Sequence, residues 1–169
     1  LSIVEGLSST IQEWLEVGRV DVGLVYNPTA SPAIDARILL EEPLCLIGPR
    51  RAGREPPTLR LRELPRFPLV IPNRPHAIRT LVETRLAGLG LRPQVAMEID
   101  AVPAILELVA EGYGHAVLSP RTLHGSAQAR RLHSRTIVQP QLKSALAVVT
   151  SALRPSTPLS KAAIAMIEA

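Results

Sequence analysis

The stretch VIPNRPHAIRTLVETRLAGLGLRP, Val70 to Pro93, holds a strand signal and a helix signal side by side. The apolar run Leu69-Val70-Ile71 stops at Pro72. Asn73, Arg74, Pro75 and His76 follow, and then Ile78, Leu81, Val82, Leu86 and Leu89 recur on one helical face until Gly88-Leu89-Gly90 closes it. A short buried strand, a polar turn and an amphipathic helix make a βα unit. The turn itself has two readings. Either Asn73 is a plain N-cap and His76 a surface residue of the first turn, or the helix start and Arg74 hold a small molecule.

Working outward, the same alternation recurs. Ile11, Trp14 and Leu15 share a helical face behind the capping box Ser9-x-x-Gln12, and Gly18 ends that helix. Trp14 reads as core packing rather than as a surface for stacking a ligand. Val22–Tyr26 reads as a buried strand, as do Ala36–Leu40 and Leu44–Gly48 on either side of Glu41-Glu42-Pro43. Val95–Ile99 alternates as a strand. Val102, Ile105, Leu106 and Val109 give a helix, Ala116–Leu118 a short strand, and Leu142–Thr150 a long one; Ser160 is the expected cap of a last helix. Leu1–Glu5 reads as a short edge strand. Strands and helices alternating at these lengths predict parallel sheets covered on both faces. Pro72 and Gln139-Pro140 are the best boundaries. The chain is therefore read as two α/β lobes, residues 1–71 with 143–169 and residues 72–142, with a ligand-binding cleft between them.

Composition bounds the rest. The 169 residues suffice for one good core or two small lobes. No stretch nears the roughly 20 apolar residues needed to cross a membrane, and no signal peptide precedes the first strand. The chain does not begin with methionine and reads as a piece of something longer. Its single cysteine, Cys45, lies in the apolar run Leu44–Ile47, reads as a buried structural thiol, and fits a reducing cytoplasm. The net charge of +4 is carried almost wholly by arginine, since Lys143 and Lys161 are the only lysines. The densest cluster, Arg50 to Arg66, reads as a solvated loop. Scattered basic charge with one Trp, two Tyr and one Phe makes a poor base-stacking platform.

The search for chemistry finds no catalytic group. No Gly-rich loop follows a strand at phosphate-binding spacing. His76, His115, His124 and His133 lack zinc spacing. Ser119 precedes Pro120 and sits in no nucleophile elbow. Glu41, Glu42 and Asp100 stand isolated, as a turn and a cap rather than an acid/base pair. No metal or cofactor is expected, and an enzyme is only the third reading.

Six segments in register carry a resemblance. They are Val4-Glu5-Gly6-Leu7-Ser8; Leu15-x-x-Gly18-Arg19-Val20-Asp21-Val22-Gly23-Leu24; Leu39-x-x-Glu42-Pro43-Leu44; Leu59-x-Leu61-x-Glu63-Leu64; Leu69-Val70-Ile71-Pro72; and Val109-Ala110-x-Gly112-x-Gly114-x-Ala116-Val117-Leu118-x-Pro120. Each is weak alone; together they span the chain. The sequence resembles the effector-binding regulatory domain of LysR-type bacterial transcription regulators. Pro72–His76 looks similar to the nitrogen-assimilation regulators among them. The resemblance implies a periplasmic-binding-protein-like (type II) fold of two Rossmann-like lobes and a small, anionic effector in the cleft. It also implies a homodimer or higher homo-oligomer, a cytoplasmic setting, and DNA contact only through an N-terminal winged helix-turn-helix that is not here. The family's first regulatory-domain strand and helix also have no counterpart. By family position Ser8, Asn73, Arg74, Pro75 and His76 face the effector, with Tyr26, Val102 and Ser119 as further lining. Ala101 stands where the family often has a hydroxyl. The alternative is a free-standing solute-binding protein of a transporter, with the same fold.

Overall fold

A computed structural model describes all residues except Leu1, Arg51, Ala52, Arg54 and Ala169. The chain divides into two compact units: Leu1–Glu41, Pro75–Ala77 and Ala145–Ala169 form the first, and Glu42–Arg74 with Ile78–Ser144 form the second.

In the first unit, α1 (Ser8–Glu16) precedes β1 (Val22–Tyr26). β1 pairs antiparallel with β9 (Lys143–Ser151), and β2 (Ile34–Pro43) flanks β9 on its other side. Leu15, Val25, Ile34, Ala147 and Val149 form the small core. Gly23 lets α1 approach the sheet: a Cβ there would lie 2.6 Å from Ile11 Cγ2. Arg154 donates to the carbonyl oxygens of Leu15, in the last turn of α1, and of Val20 beyond it. A cation there complements the negative end of the helix dipole. α4 (Pro158–Glu168) closes the unit.

In the second unit, β4 (Thr58–Arg60), β8 (Leu132–Val138), β3 (Cys45–Pro49) and β7 (Ala116–Leu118) form one sheet in that order. β5 (Leu69–Ile71) pairs in parallel with β6 (Val95–Glu98), and a bridge from Leu69 to His115 leads on to β7. α2 (Ala77–Ala87) and α3 (Val102–Ala110) are the helices. Two apolar clusters fill the unit, one holding Leu44, Leu69, Val82 and Leu86, the other Ile47, Val70, Ile105 and Val109.

Several expectations need correction. Ser2 to Leu7 form no strand, because no sheet offers them a ladder, and Ile3 is 84% exposed. α1 starts one residue before the expected cap; Ser9 lies inside it, and Gln12 bonds the backbone of Thr29 in both directions instead. The last helix is capped by Thr157, whose Oγ1 accepts from the Ser160 N–H at 3.1 Å. The sheets are mixed rather than parallel: β3 pairs antiparallel with both β7 and β8. β8 was not foreseen; it pairs antiparallel with β3 and parallel with β4.

The unit boundaries also differ from the expected lobes. The first crossing falls between Glu41 and Glu42 and the second between Ser144 and Ala145. Pro72 lies within the second unit, between β5 and the turn. Both crossings run through extended chain beside one another, Leu44 N–H donating to the Leu142 carbonyl at 2.8 Å. The first crossing lies inside β2 and the second inside β9, so neither is marked by a break between elements, and the turn at Pro72 drew the boundary instead.

Candidate functional site

In the first unit the Ser8 Oγ accepts the Tyr26 N–H at 3.0 Å, which ties the start of α1 to the carboxyl end of β1. The hydroxyl still has a proton to give. The Tyr26 side chain is exposed, and Asn27, at φ 49, turns the chain while bonding Ala145 through both its N–H and its Oδ1. Pro75 is exposed and His76 half-buried.

In the second unit the Pro72–Arg74 end of the turn is tied at each residue. The Pro72 carbonyl accepts from Arg79 Nη1 at 3.0 Å. Asn73 donates its N–H and its Nδ2–H to the two Asp100 oxygens, at 2.9 and 3.1 Å. Arg74 grips Glu83 with both Nε (3.0 Å) and Nη2 (2.8 Å). Asn73 is thus not the cap of α2, which begins at Ala77; Asp100 takes its amide. Arg74 does not stand as bare positive charge, because Glu83 is already bound to it.

Behind the turn lies Arg79, 5% exposed, which the sequence reading missed. Its Nε donates to Glu83 at 2.9 Å and its Nη1 to Glu98 at 2.5 Å. Burial works against the Arg79 charge, but the hydrogen bonds and attraction of Glu83 and Glu98 outweigh it and raise its pKa further. Hydrogen bonding from Arg74, opposed by burial and joined by Arg79, holds the Glu83 carboxyl below the usual carboxylate range. The missed signal was there: Arg79 and Glu83 are four apart on a face otherwise marked by Ile78 and Val82.

The other expected residues serve structure first. Val102 opens α3 and packs against the cluster of Ile105 and Val109. Ala101 gives α3 no side-chain cap. Ser119, 8% exposed, accepts the Arg121 N–H and caps the 3-10 turn Pro120–Leu123. Trp14 is half-buried, with the Arg19 guanidinium 4.4 Å from its ring centroid. Glu42, taken as a turn residue, is a buried strand residue 3.4 Å from Arg121 Nε. Among the described residues no group of histidine, cysteine and carboxylate side chains is placed to hold a metal, and no helix is long and apolar enough to cross a membrane.

The chain's two α/β units are consistent with a type II periplasmic-binding-protein-like fold. Residues 1–169 match the LysR substrate binding domain, and the chain belongs to that family, whose members work in transcription regulation. It is 26% identical over 162 residues to the HTH-type transcriptional regulator BbuR of Bordetella bronchiseptica, covering 94% of this chain and 49% of that protein. It is 23% identical over 171 residues to the regulator CysL of Bacillus subtilis, covering 99% of this chain and 56% of that protein. The chain thus spans about half the length of these curated relatives. The CcmR regulatory domain of Synechocystis PCC6803, solved in complex with 2-PG, superposes with a TM-score of 0.82 at 19% identity, over 96% of this chain and 78% of that one. The family is one of regulatory domains, not of enzymes, and the comparisons do not favour a transporter's solute-binding protein.

Proposed function

We propose that this chain is the effector-sensing part of a LysR-type transcription regulator and that it binds a small anionic metabolite through Ser8, Tyr26 and the Asn73–His76 turn. The match to the family along the whole chain carries this reading. Two physical features support it. The first turn of an 11-residue helix presents backbone N–H donors at the positive end of its dipole, just after Pro75. The chain ahead of it is held at Pro72, Asn73 and Arg74 by Arg79, Asp100 and Glu83. Val102 and Ser119 take the weaker part in this reading, since packing and capping already occupy them. For sensing, the metabolite must bind one conformation better than another.

Ser8→Ala tests this, with thermal unfolding measured alongside, because Ser8 caps nothing within its own helix but its Oγ also accepts the Tyr26 N–H. A charge-assisted hydrogen bond contributes roughly 1.5–3 kcal/mol, so the variant is expected to bind roughly ten- to a hundredfold more weakly. Calorimetric titration with organic acids and phosphate esters measures this. Equal affinity in wild type and variant would remove Ser8 from the site and sink this reading.

DNA contact belongs, in this reading, to a winged helix-turn-helix outside these residues, in a cytoplasmic regulator. Self-association is the accompanying expectation, and Ile3, Val4 and Leu7 are apolar side chains exposed for it. Light scattering of the chain with and without promoter DNA at physiological salt is expected to show a dimer and no sequence-dependent complex. A clean monomer at micromolar concentration would overturn the first expectation, and a specific DNA complex the second.

A further inference from the structure

We propose that Glu83 masks Arg74, and that a small oxyanion arriving at the Pro72–His76 turn draws the Arg74 guanidinium off Glu83 and onto itself. This rests on the reading that the turn binds an anion, and it adds a competition inside the site.

The argument starts from the unequal standing of two arginines on one carboxylate. Glu83 Oε1 accepts from Arg74 Nη2 and from Arg79 Nε, while Oε2 accepts from Arg74 Nε. Arg79 is buried, with a side chain 6% exposed, and it is also bound to Glu98 and to the Pro72 carbonyl. It cannot leave without stranding a buried charge and a carbonyl. Arg74 has a side chain 69% exposed and sits in the turn itself, next to Pro75. An exposed ion pair is weak, because water and salt screen it. Release of Arg74 therefore costs little, and Glu83 keeps Arg79 as its counter-ion.

The guanidinium fork fits carboxylate, sulfate and phosphate equally in geometry, so the ligand that wins is the one carrying more charge than Glu83. On charge alone, a dianion competes with Glu83 for the Arg74 fork better than a monoanion does.

The test is calorimetric titration of the full chain with inorganic phosphate at fixed ionic strength, as wild type, Glu83→Gln, Arg74→Gln and the double variant. Glutamine keeps an oxygen for Arg79, and thermal unfolding checks that each variant folds. Glu83→Gln is expected to bind phosphate roughly threefold to tenfold more tightly, and that gain is expected to vanish in the Arg74→Gln background. Glu111→Gln, which loses a comparable pair with Arg131 elsewhere in the unit, is expected to leave binding unchanged. In arginine-selective NMR spectra, phosphate is expected to shift the Arg74 Nε–H signal and leave that of Arg79 in place. A gain that persists without Arg74, or equal affinity in all four proteins, overturns the masking. Ser8→Ala separates this from the functional reading. Phosphate binding that weakens in Ser8→Ala but ignores Glu83 and Arg74 keeps the reading and sinks the inference. Binding that follows Arg74 and Glu83 but ignores Ser8 does the reverse. No phosphate binding in any variant sinks both.

Discussion

Replacing Arg79 with methionine is expected to lower the stability of the fold by about 3 kcal/mol at neutral pH, measured by urea unfolding. Methionine keeps most of the apolar stem's volume, so the loss reports the polar network rather than a cavity. What goes is the donor to the Pro72 carbonyl, to Glu83 and to Glu98. Glu98 is about half exposed and regains water, and Glu83 keeps Arg74; the Pro72 carbonyl, on a buried residue, has less recourse. A loss below about 1 kcal/mol would mean that burying the guanidinium had cost nearly what its bonds return. The sign of the pH dependence follows from Glu83. Its folded pKa is depressed, so its contribution is present above the usual carboxylate range and is lost as pH falls through the lower folded value. Stability of the wild type is therefore expected to fall on acidification in that window, and Glu83→Gln is expected to flatten the decline.

Arg79 also shows where the sequence stops being legible. Apolar periodicity found β1, α2 and α3, where one face is buried and the rest is wet, and β5 showed as a short, wholly buried apolar run. Position 79 lies on the buried face, but its charge hides the fact: a buried guanidinium looks like a solvent-exposed one until its partners are known. Glu98 and Asp100 sit some twenty residues on along the chain, because the rest of α2, a loop and β6 intervene before the chain returns. No local pattern links them. The strand β8 was missed for a related reason: His133, Ser134, Arg135 and Thr136 are polar, yet Leu132 and Ile137 anchor it in the sheet between β3 and β4. The site residues fared according to how much each depended on distant partners. Ser8 was named from the family resemblance and Tyr26 from its place at the end of a strand, and the two are bonded to each other. Asn73 and Arg74 were named for the helix that follows, and they are bound instead to side chains further along.

The pair Gly112 and Gly114 was legible as a motif but not as two different physical demands. Gly112 has φ 87 and open space around its Cα, so its demand is conformational. Gly114 has no such φ; a Cβ there would lie 2.8 Å from the Pro68 carbonyl oxygen and 3.2 Å from Val70 Cγ2. That carbonyl cannot give way, because it accepts the His115 N–H at 2.8 Å beside the bridge that joins β5 to β7. Gly114→Ala is therefore expected to cost about 2–3 kcal/mol, by forcing the two strands apart. Gly112→Ala is expected to cost about 1 kcal/mol, the left-handed penalty less what alanine gains by restricting the unfolded chain. Asparagine separates the two demands, since it tolerates the left-handed region but is larger than alanine. Gly112→Asn is expected to be milder than Gly112→Ala, and Gly114→Asn harsher than Gly114→Ala, by urea unfolding of all four. The opposite order at either position would assign that glycine to the other cause. Because β5 runs straight into the Pro72–His76 turn, Gly114→Ala should also disturb the turn, and so weaken anion binding beyond the fraction of chain it unfolds, whereas Gly112→Ala should not.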